Sequence, residues 1–308
     1  MINRTLIRIK VIQNLYSYLL TQEDTTLRNA LMQLSKSFDK SYELYNYLLL
    51  LMIELTDLQD RRLDDAKNKY LPSEEDLNPN MRFVENQFVA KLKADETLQD
   101  YISENKLSWK NDDIFLKLML DKIVRSELYT NYMAADSTNY NNDCEVWKQL
   151  MKQVVLPDDS LADILESKSV YWNDDLDTMG TFVLKTIRRF QENEKEPILP
   201  MFKDEEDSEF GKKLLMKAVE SKSENDKLID EFVTDKWDVE RIAFMDRVIM
   251  DVCLAEIKGF LSIPTSVSLN EYIELAKYYS TPKSGTFVNG ILNAIVRDLK
   301  AKRIIVKD

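Results

Sequence analysis

Positively charged side chains at the two ends of the sequence are the groups best suited to bind a ligand by charge. Residues 1–22 contain Arg4, Arg8 and Lys10 and no acidic residue. The last twelve residues, RDLKAKRIIVKD, carry five cations against two carboxylates. Guanidinium and ammonium groups in such clusters bind phosphates and other anions. The two ends would form one anion-binding patch if they meet in space, and the alternative is a pair of solvated termini.

The composition excludes several other kinds of chemistry. The sequence has no histidine, which excludes histidine general bases, Ser-His-Asp sites and histidine-ligated metals. Cys144 and Cys253 are far apart and form no CxxC pair, so neither a zinc knuckle nor a disulfide framework is indicated. The acidic pairs 112–113 and 174–175 are better explained as solvated helix caps, because adjacent helix side chains point about 100° apart. We therefore predict no enzyme, no catalytic residue, no metal and no cofactor.

The bulk composition predicts an all-α protein. The 308 residues are 44% hydrophobic and 31% charged, which is enough for one large core or two smaller ones. Five glycines and seven prolines are too few for the turns of a many-stranded sheet. The sequence shows no secretory signal, and the apolar run at 47–55 is far shorter than the ~20 residues of a membrane span. These features favour a cytoplasmic protein that does not engage a membrane.

Hydrophobic periodicity predicts helices along most of the chain. Leucines at steps of three and four between residues 42 and 58 predict a buried helical stripe. Proline-containing stretches at 68–83 and 191–207 predict boundaries. Ser268 and Glu271 have the spacing of a capping box at the start of a helix. The other predicted helices lie at about 4–21, 26–40, 81–98, 111–134, 143–156 and 174–193, and three more follow from residue 209, the last at about 239–259.

Two of the five glycines fall within PKSGTFVNGILNAIV, residues 282–296. Ser284 or Thr286 can cap a helix that starts here, and Gly285 would permit a tight turn into that helix. Gly290 would let another backbone or side chain lie close to the helix, despite a cost near 1 kcal/mol relative to alanine. We expect helix–helix packing at Gly290 rather than direct contact with a ligand.

The same region carries a resemblance to a known family. SIPTSVSLNEYIELAKYYSTPKSGTFVNGILNAIV, residues 262–296, resembles the C-terminal signature of the NusB family of bacterial transcription antitermination factors. The matching elements are a proline-containing loop, N-E-x-x-E-L-A-K at 270–277 and F-V-N-G-I-L at 287–292. Upstream, DKWDVERIAFMDRVIMDVCLAEI resembles the preceding helices of the family, and RIKVIQNLYSYLLTQ resembles its first helix.

The resemblance implies a division of the chain into three parts. It covers roughly residues 1–60 and 206–308 and implies the two packed helical subdomains of the NusB-like fold. Residues 1–60 would hold the N-terminal RNA-binding helices and 206–308 the C-terminal helical domain. Residues 61–205 have no counterpart in short family members, and we interpret them as a helical insertion of unknown role.

The resemblance also implies a function and a set of site residues. NusB-family proteins are non-enzymatic and bind the boxA element of nascent ribosomal RNA with NusE, a ribosomal protein in a second role, which helps RNA polymerase resist termination. Single-stranded RNA is typically bound by cations on phosphates and aromatic rings on bases. The implied RNA-binding residues are Arg4, Arg8, Lys10, Tyr16, Lys283, Thr286, Phe287 and Asn289, with Tyr16 and Phe287 as the stacking pair.

The resemblance places a surface for NusE at Glu240, Arg241, Asp246 and Arg247, although Asp246 and Arg247 could equally form ordinary intramolecular ion pairs. An RNA-modifying enzyme with a NusB-like domain is a poor alternative, because the chain has no glycine-rich nucleotide loop. A second alternative is a protein-binding scaffold that has kept the fold and lost specific RNA binding. The acidic, tyrosine-rich insertion favours that scaffold, and the retained Arg4, Arg8, Tyr16 and Phe287 argue against it. The net charge of −12, taken alone, argues against nucleic-acid binding.

Overall fold

The computed structural model describes residues 1–21, 23–137, 139–233 and 242–307. Every regular element within these ranges is helical, and the one β-type pairing is an isolated bridge between Ile2 and Phe202. The all-α prediction is confirmed. In the described part of the chain, no helix combines the length and the apolar character that crossing a membrane requires.

The chain folds as two compact units. The middle unit contains Met1 and residues 39–201, and the end unit contains residues 2–38 and 202–308. The helices, in chain order, are α1 (Arg4–Leu20), α2 (Leu27–Lys67), α3 (Glu74–Leu77), α4 (Gln87–Ala94), α5 (Glu96–Asn105), α6 (Asp113–Val124), α7 (Glu127–Ala134), α8 (Tyr140–Leu150, continued by a π-helical turn Met151–Val155), α9 (Asp159–Lys168), α10 (Leu176–Gln191), α11 (Glu205–Phe232), α12 (Phe244–Gly259), α13 (Thr265–Tyr279) and α14 (Ser284–Ala301).

Several helix boundaries differ from the sequence-based prediction. The helix predicted at 26–40 and the helical stripe predicted at 42–58 are one helix, α2, whose residues 27–38 belong to the end unit and 39–67 to the middle unit. The segments predicted at 81–98 and 111–134 are each divided, at Asp95 and Ser126, and both residues cap the helix that follows them. Helix α9 was not predicted.

The capping box predicted at Ser268 is not formed. Helix α13 begins one turn earlier, after Pro264. Ser268 therefore lies inside the helix, where its hydroxyl donates to the buried carboxylate of Glu256 (2.7 Å). The S-x-x-E spacing alone does not distinguish a cap from a side chain that is directed into the core.

Helix α12 is the centre of the end unit. All residues from Val248 to Ile257 are buried, and α1, α11, α13 and α14 pack against this helix. A helix that is buried around its whole circumference needs neighbours on all sides, and its two buried carboxylates in this stretch, Asp251 and Glu256, need polar partners there. Gly211 on α11 permits one of the close approaches in this unit, because a Cβ there would lie 2.9 Å from Cγ2 of Ile7 and 3.0 Å from Cζ of Phe38.

The middle unit has its own aromatic core. Trp109 is fully buried and stacks on Tyr47, with ring centroids 4.0 Å apart and an interplanar angle of 15°. Its indole N–H donates to the Tyr47 carbonyl (3.1 Å), so the polar edge of the ring is satisfied. Trp147 and Phe83 form a second buried aromatic pair in the same unit. A core of this size is consistent with a unit that folds around its own interior.

Candidate functional site

The start of helix α14 presents most of the predicted C-terminal site residues on one surface. Lys283 is the N-cap residue, and no side chain caps the helix there. Lys283, Thr286 and Asn289 are all exposed, and their spacing of three residues places them on one side of the helix. Uncapped N–H groups and the positive end of the helix dipole attract phosphate. The surface therefore combines a cation, polar side chains and a helix N-terminus.

Gly285 and Gly290 have different roles in this helix. A Cβ on Gly285 would lie 2.6 Å from Cγ of Lys277, so this glycine permits close approach of α13. Its φ is not positive, and the expected tight turn is therefore not the reason for glycine. Gly290 is exposed, and a Cβ there would meet no described atom within 4 Å. The helix–helix packing expected at Gly290 is thus not found among the described residues.

Asp246 of α12 holds the start of α14 in place through a hydrogen bond. It is 4% exposed, and its Oδ2 accepts a hydrogen bond from the hydroxyl of Ser284 (2.8 Å), which is itself buried. The Ser284 hydroxyl also accepts from the backbone N–H of Thr281 (3.1 Å). Ser284 therefore connects α14 to α12 instead of capping its own helix. The predicted partner contact of Asp246 is not supported by this position, because the carboxylate is inside the end unit.

Tyr16 lies beside a third aromatic residue that the sequence-based reasoning missed. Its ring packs against Phe244, with centroids 5.0 Å apart at 59°. Phe244 is 38% exposed and begins α12, whereas Tyr16 and Phe287 are both half-buried. The helices that carry Tyr16 and Phe287, α1 and α14, both pack against α12. Their predicted role as a stacking pair stays a prediction.

Arg8 is a core residue rather than a surface cation. It is 3% exposed, and its Nε and Nη2 donate to the two carboxylate oxygens of Glu256 (2.8 and 2.9 Å). Ser268 and Tyr272 also donate to Glu256, so this fully buried carboxylate accepts four hydrogen bonds. Burial opposes the charge on Arg8, but the hydrogen bonds and negative charge of Glu256 outweigh it and raise the Arg8 pKa above its usual value.

The other two N-terminal cations, Lys10 and Arg4, differ in how deeply they are buried. Lys10 is 3% exposed, so neither Arg8 nor Lys10 is placed to contact a phosphate in this conformation. The prediction of such a contact is not supported for these two residues. Arg4 is half-buried and pairs with Asp207 (2.9 Å) and with the more exposed Glu206 (2.7 Å). Arg4 is therefore the N-terminal cation nearest to solvent among the three.

The predicted partner-binding residues divide into two groups. Arg247 forms intramolecular ion pairs with Asp230 (2.8 Å) and Asp226 (3.4 Å) of α11, which was the alternative explanation of its charge. Burial opposes its charge, but the hydrogen bonds and negative charges of Asp230 and Asp226 together outweigh burial and raise the Arg247 pKa. Glu240 and Arg241 lie outside the described residues. Within the described ranges, no cluster of three metal-ligating side chains occurs.

Comparisons with known proteins agree with the resemblance at the C-terminal motif. The model of the NusB family matches residues 181–297. The transcription antitermination protein NusB of Bacillus pumilus is 38% identical over 106 residues, which are 34% of this chain and 80% of that protein. The chain belongs to the NusB family. Because the family match begins inside α10, the predicted boundary at residue 205 stays a prediction.

Other family members are matched over a smaller share of their length. The NusB protein of Salinibacter ruber is 39% identical over 101 residues, or 33% of this chain and 62% of that protein. The NusB protein of Symbiobacterium thermophilum is 40% identical over 97 residues, or 32% and 63%. The chain thus spans less than two thirds of these relatives. A solved structure of T. maritima NusB is 31% identical, covers 38% of this chain and 85% of that chain, and has a TM-score of 0.30.

Proposed function

We propose that this protein is an RNA-binding transcription antitermination factor that acts in the cytoplasm with NusE on boxA-type sequences of ribosomal RNA transcripts. The observation that carries this proposal is the exposed surface at the start of α14, where Lys283, Thr286 and Asn289 lie along one side of the first two turns and no side chain caps the helix. The relatives are transcription antitermination proteins NusB, and this supports the same role. The role is that of a binding protein that joins the antitermination complex of RNA polymerase, without catalysis of its own.

The open space at Gly290 adds a second argument for this surface. Glycine inside an exposed helix costs about 1 kcal/mol relative to alanine. No described neighbour uses the missing Cβ, and residue 290 follows directly after the exposed Asn289. A glycine in such a place is explained if the sugar–phosphate backbone of an RNA, or a partner, lies directly against the helix. We therefore extend the proposed RNA surface from Lys283 to Gly290.

Fewer N-terminal residues contribute to the proposed RNA-binding site than the resemblance implied. In the proposed site Arg4 supplies the N-terminal cation, Tyr16 and Phe287 supply rings, and Phe244 adds a ring beside Tyr16. Arg8 and Lys10 hold α1 in the core instead. Fewer phosphate contacts mean weaker binding by the isolated protein and a smaller dependence on salt. This arrangement makes a partner such as NusE important for affinity.

The proposal is tested by fluorescence anisotropy of a labelled boxA-type RNA, with and without NusE, across a salt series. We expect saturable binding that NusE strengthens. Lys283→Ala should weaken binding and reduce the slope of log K against log salt by about 1, because one phosphate contact is lost. Lys213→Ala, which removes an exposed cation from α11, is the matched control and should leave both quantities unchanged.

The burial of Arg8 and Lys10 favours one competing function, a scaffold that binds proteins and has lost RNA recognition. This alternative predicts no saturable RNA binding at low salt, even with NusE present. It also predicts equal behaviour of the Lys283→Ala and Lys213→Ala variants. Either result would contradict the RNA-binding proposal.

A further inference from the structure

Helix α6 of the middle unit is apolar on both of its sides. Five of its residues are buried in the core of the unit, among them Leu116 and Leu120. On the outer side, Ile114 is 77% exposed and Leu118 is 56% exposed. A helix with apolar residues around its circumference is typical of a buried position. Here one apolar side is left at the surface, as on many surfaces that bind another molecule.

A groove lies directly beside this exposed apolar side. It encloses about 650 Å³ between α6 and the last third of α2. Leu58, Leu116 and Leu120 supply its apolar lining. Asp113 and Lys117 of α6 also line it, and they are the sequence neighbours of Ile114 and Leu118. A groove between two helices with an adjoining apolar ridge is the usual receptor for one face of an amphipathic helix.

Of the charged side chains that line the groove, two cations and two carboxylates are not used in the ion pairs of the described residues. Arg62 pairs with Asp121 (2.7 Å), and Lys117 pairs with Asp113 (3.4 Å). Arg61, Lys110, Glu54 and Asp65 form no ion pair within the described residues. The positive and negative charges that line the groove are therefore equal in number, and the groove can accept a helix with both kinds of charge along its edges. The electrostatic field of the whole unit then decides which net charge the bound helix carries.

The net charge of the protein is confined to this unit. Residues 39–201 contain 20 Lys and Arg against 32 Asp and Glu, whereas the rest of the chain contains 22 of each. The net charge of −12 thus belongs to the middle unit alone. Such a field repels RNA and a second copy of the same unit, and it increases the rate of encounter with basic partners. Charge complementarity therefore selects a basic protein.

We propose that the α2–α6 groove and the adjoining ridge of Ile114 and Leu118 form a docking site for an amphipathic helix of a basic protein. The apolar face of that helix would pack on the half-buried Leu58 and on the two exposed side chains of the ridge, while Leu116 and Leu120 form the buried floor of the groove. Its cations would complement Glu54 and Asp65. This site is independent of the proposed RNA surface, which lies on the end unit.

The test uses the full chain and two labelled synthetic helices of about 18 residues, or ~27 Å. Both carry leucine on one face; one carries lysine on the other face and its twin carries glutamate. Anisotropy titrations should show that the lysine helix binds at least tenfold more tightly than the glutamate helix, with an affinity that falls as salt rises. Equal binding of the two helices, or no binding of the lysine helix, would overturn the proposal.

Two variants separate docking in the groove from general attraction to an acidic surface. The double substitution Ile114→Ser/Leu118→Ser should weaken binding of the lysine helix at least tenfold. Val170→Ser is the control, because Val170 belongs to the same unit and is 78% exposed, like Ile114. Circular dichroism of each variant checks that the fold is retained. Similar affinities of the double variant and the control would overturn the proposal.

Two further outcomes would assign the surface to a different occupant. Self-association in sedimentation that the double variant abolishes would show that a second copy covers the ridge. Direct binding of a labelled boxA-type RNA that the double variant weakens and Val170→Ser does not would show that the groove binds nucleic acid. Either result contradicts docking of a basic protein helix.

Discussion

At the scale of single residues, the pair formed by Arg8 and Glu256 shows how a cation can be mistaken for a binding group. Arg8 lies in a helix whose neighbouring positions are almost all apolar, so an inward orientation is as compatible with the sequence as an outward one. Its actual partner is 248 positions away, and no local pattern reveals a contact at that separation. The same holds for Asp246, whose partner Ser284 is 38 positions away.

We expect Glu256→Gln to lower the free energy of unfolding by about 3–5 kcal/mol, because it leaves the buried Arg8 charge with only the half-buried Glu271, 3.3 Å away, as a counter-ion. The control is Glu206→Gln, which removes an exposed partner of Arg4 and should cost less than about 1 kcal/mol. Urea unfolding of both variants measures the difference. A Glu256→Gln value within about 1 kcal/mol of the wild type would show that the pair does not hold α1 in place.

Asp251 makes the stability of the end unit depend on pH. Burial raises the pKa of this fully buried carboxyl to about 6, although the charge of Lys222 and a hydrogen bond from Asn225 partly oppose the shift. The pKa is higher in the folded than in the unfolded chain, so the folded chain binds more protons between about pH 4 and pH 6. Stability from this group is therefore fully present below about pH 4 and is lost as pH rises through 6.

Asp251→Asn should remove this slope and increase stability at pH 7 by about 1–3 kcal/mol, because the amide carries no charge to bury. Urea unfolding between pH 4 and pH 7 compares the variant with the wild type. If both proteins lose stability equally over this interval, then Asp251 does not titrate there.

At the scale of elements, periodicity located α1, α12 and α14 well, because their apolar stripes are long, but within the described residues the first two of the three segments predicted from residue 209 are one helix, α11. It failed where the helix start depends on tertiary contacts. Ser268 has the spacing of a cap, but Glu256 takes its hydroxyl, so α13 starts one turn earlier. Helix α9 was missed because seven acidic residues lie in the stretch 158–177, which has the composition of a solvated loop.

The packing of α11 against α1 and α2 depends on Gly211, and we expect Gly211→Ala to lower the free energy of unfolding by about 1–3 kcal/mol. The added Cβ would lie 2.9 Å from a methyl group of Ile7, and neighbouring helices would have to shift. Thermal unfolding provides the measurement. An unchanged or higher melting temperature would show that the three helices accommodate the added methyl group without loss of stability.

At the scale of the whole molecule, the distribution of charge divides the chain into two electrostatic parts. The end unit contains the family motif and has equal numbers of cations and acids, so its surface does not repel RNA as the overall charge of −12 suggests. The net charge alone was a misleading argument against nucleic-acid binding, because it describes the middle unit. The difference in net charge between the two units can be counted from the sequence only after the limits of the units are known.

The central claim is that the first turns of α14 lie against RNA, and the most direct test is the RNA affinity of Gly290→Ala. The substitution adds one methyl group to an open helix surface, so it should raise the free energy of unfolding by up to about 1 kcal/mol. The same methyl group should weaken boxA-type RNA binding about tenfold, because it occupies the space of the RNA backbone. A variant that is more stable and binds RNA as tightly as the wild type would contradict the account.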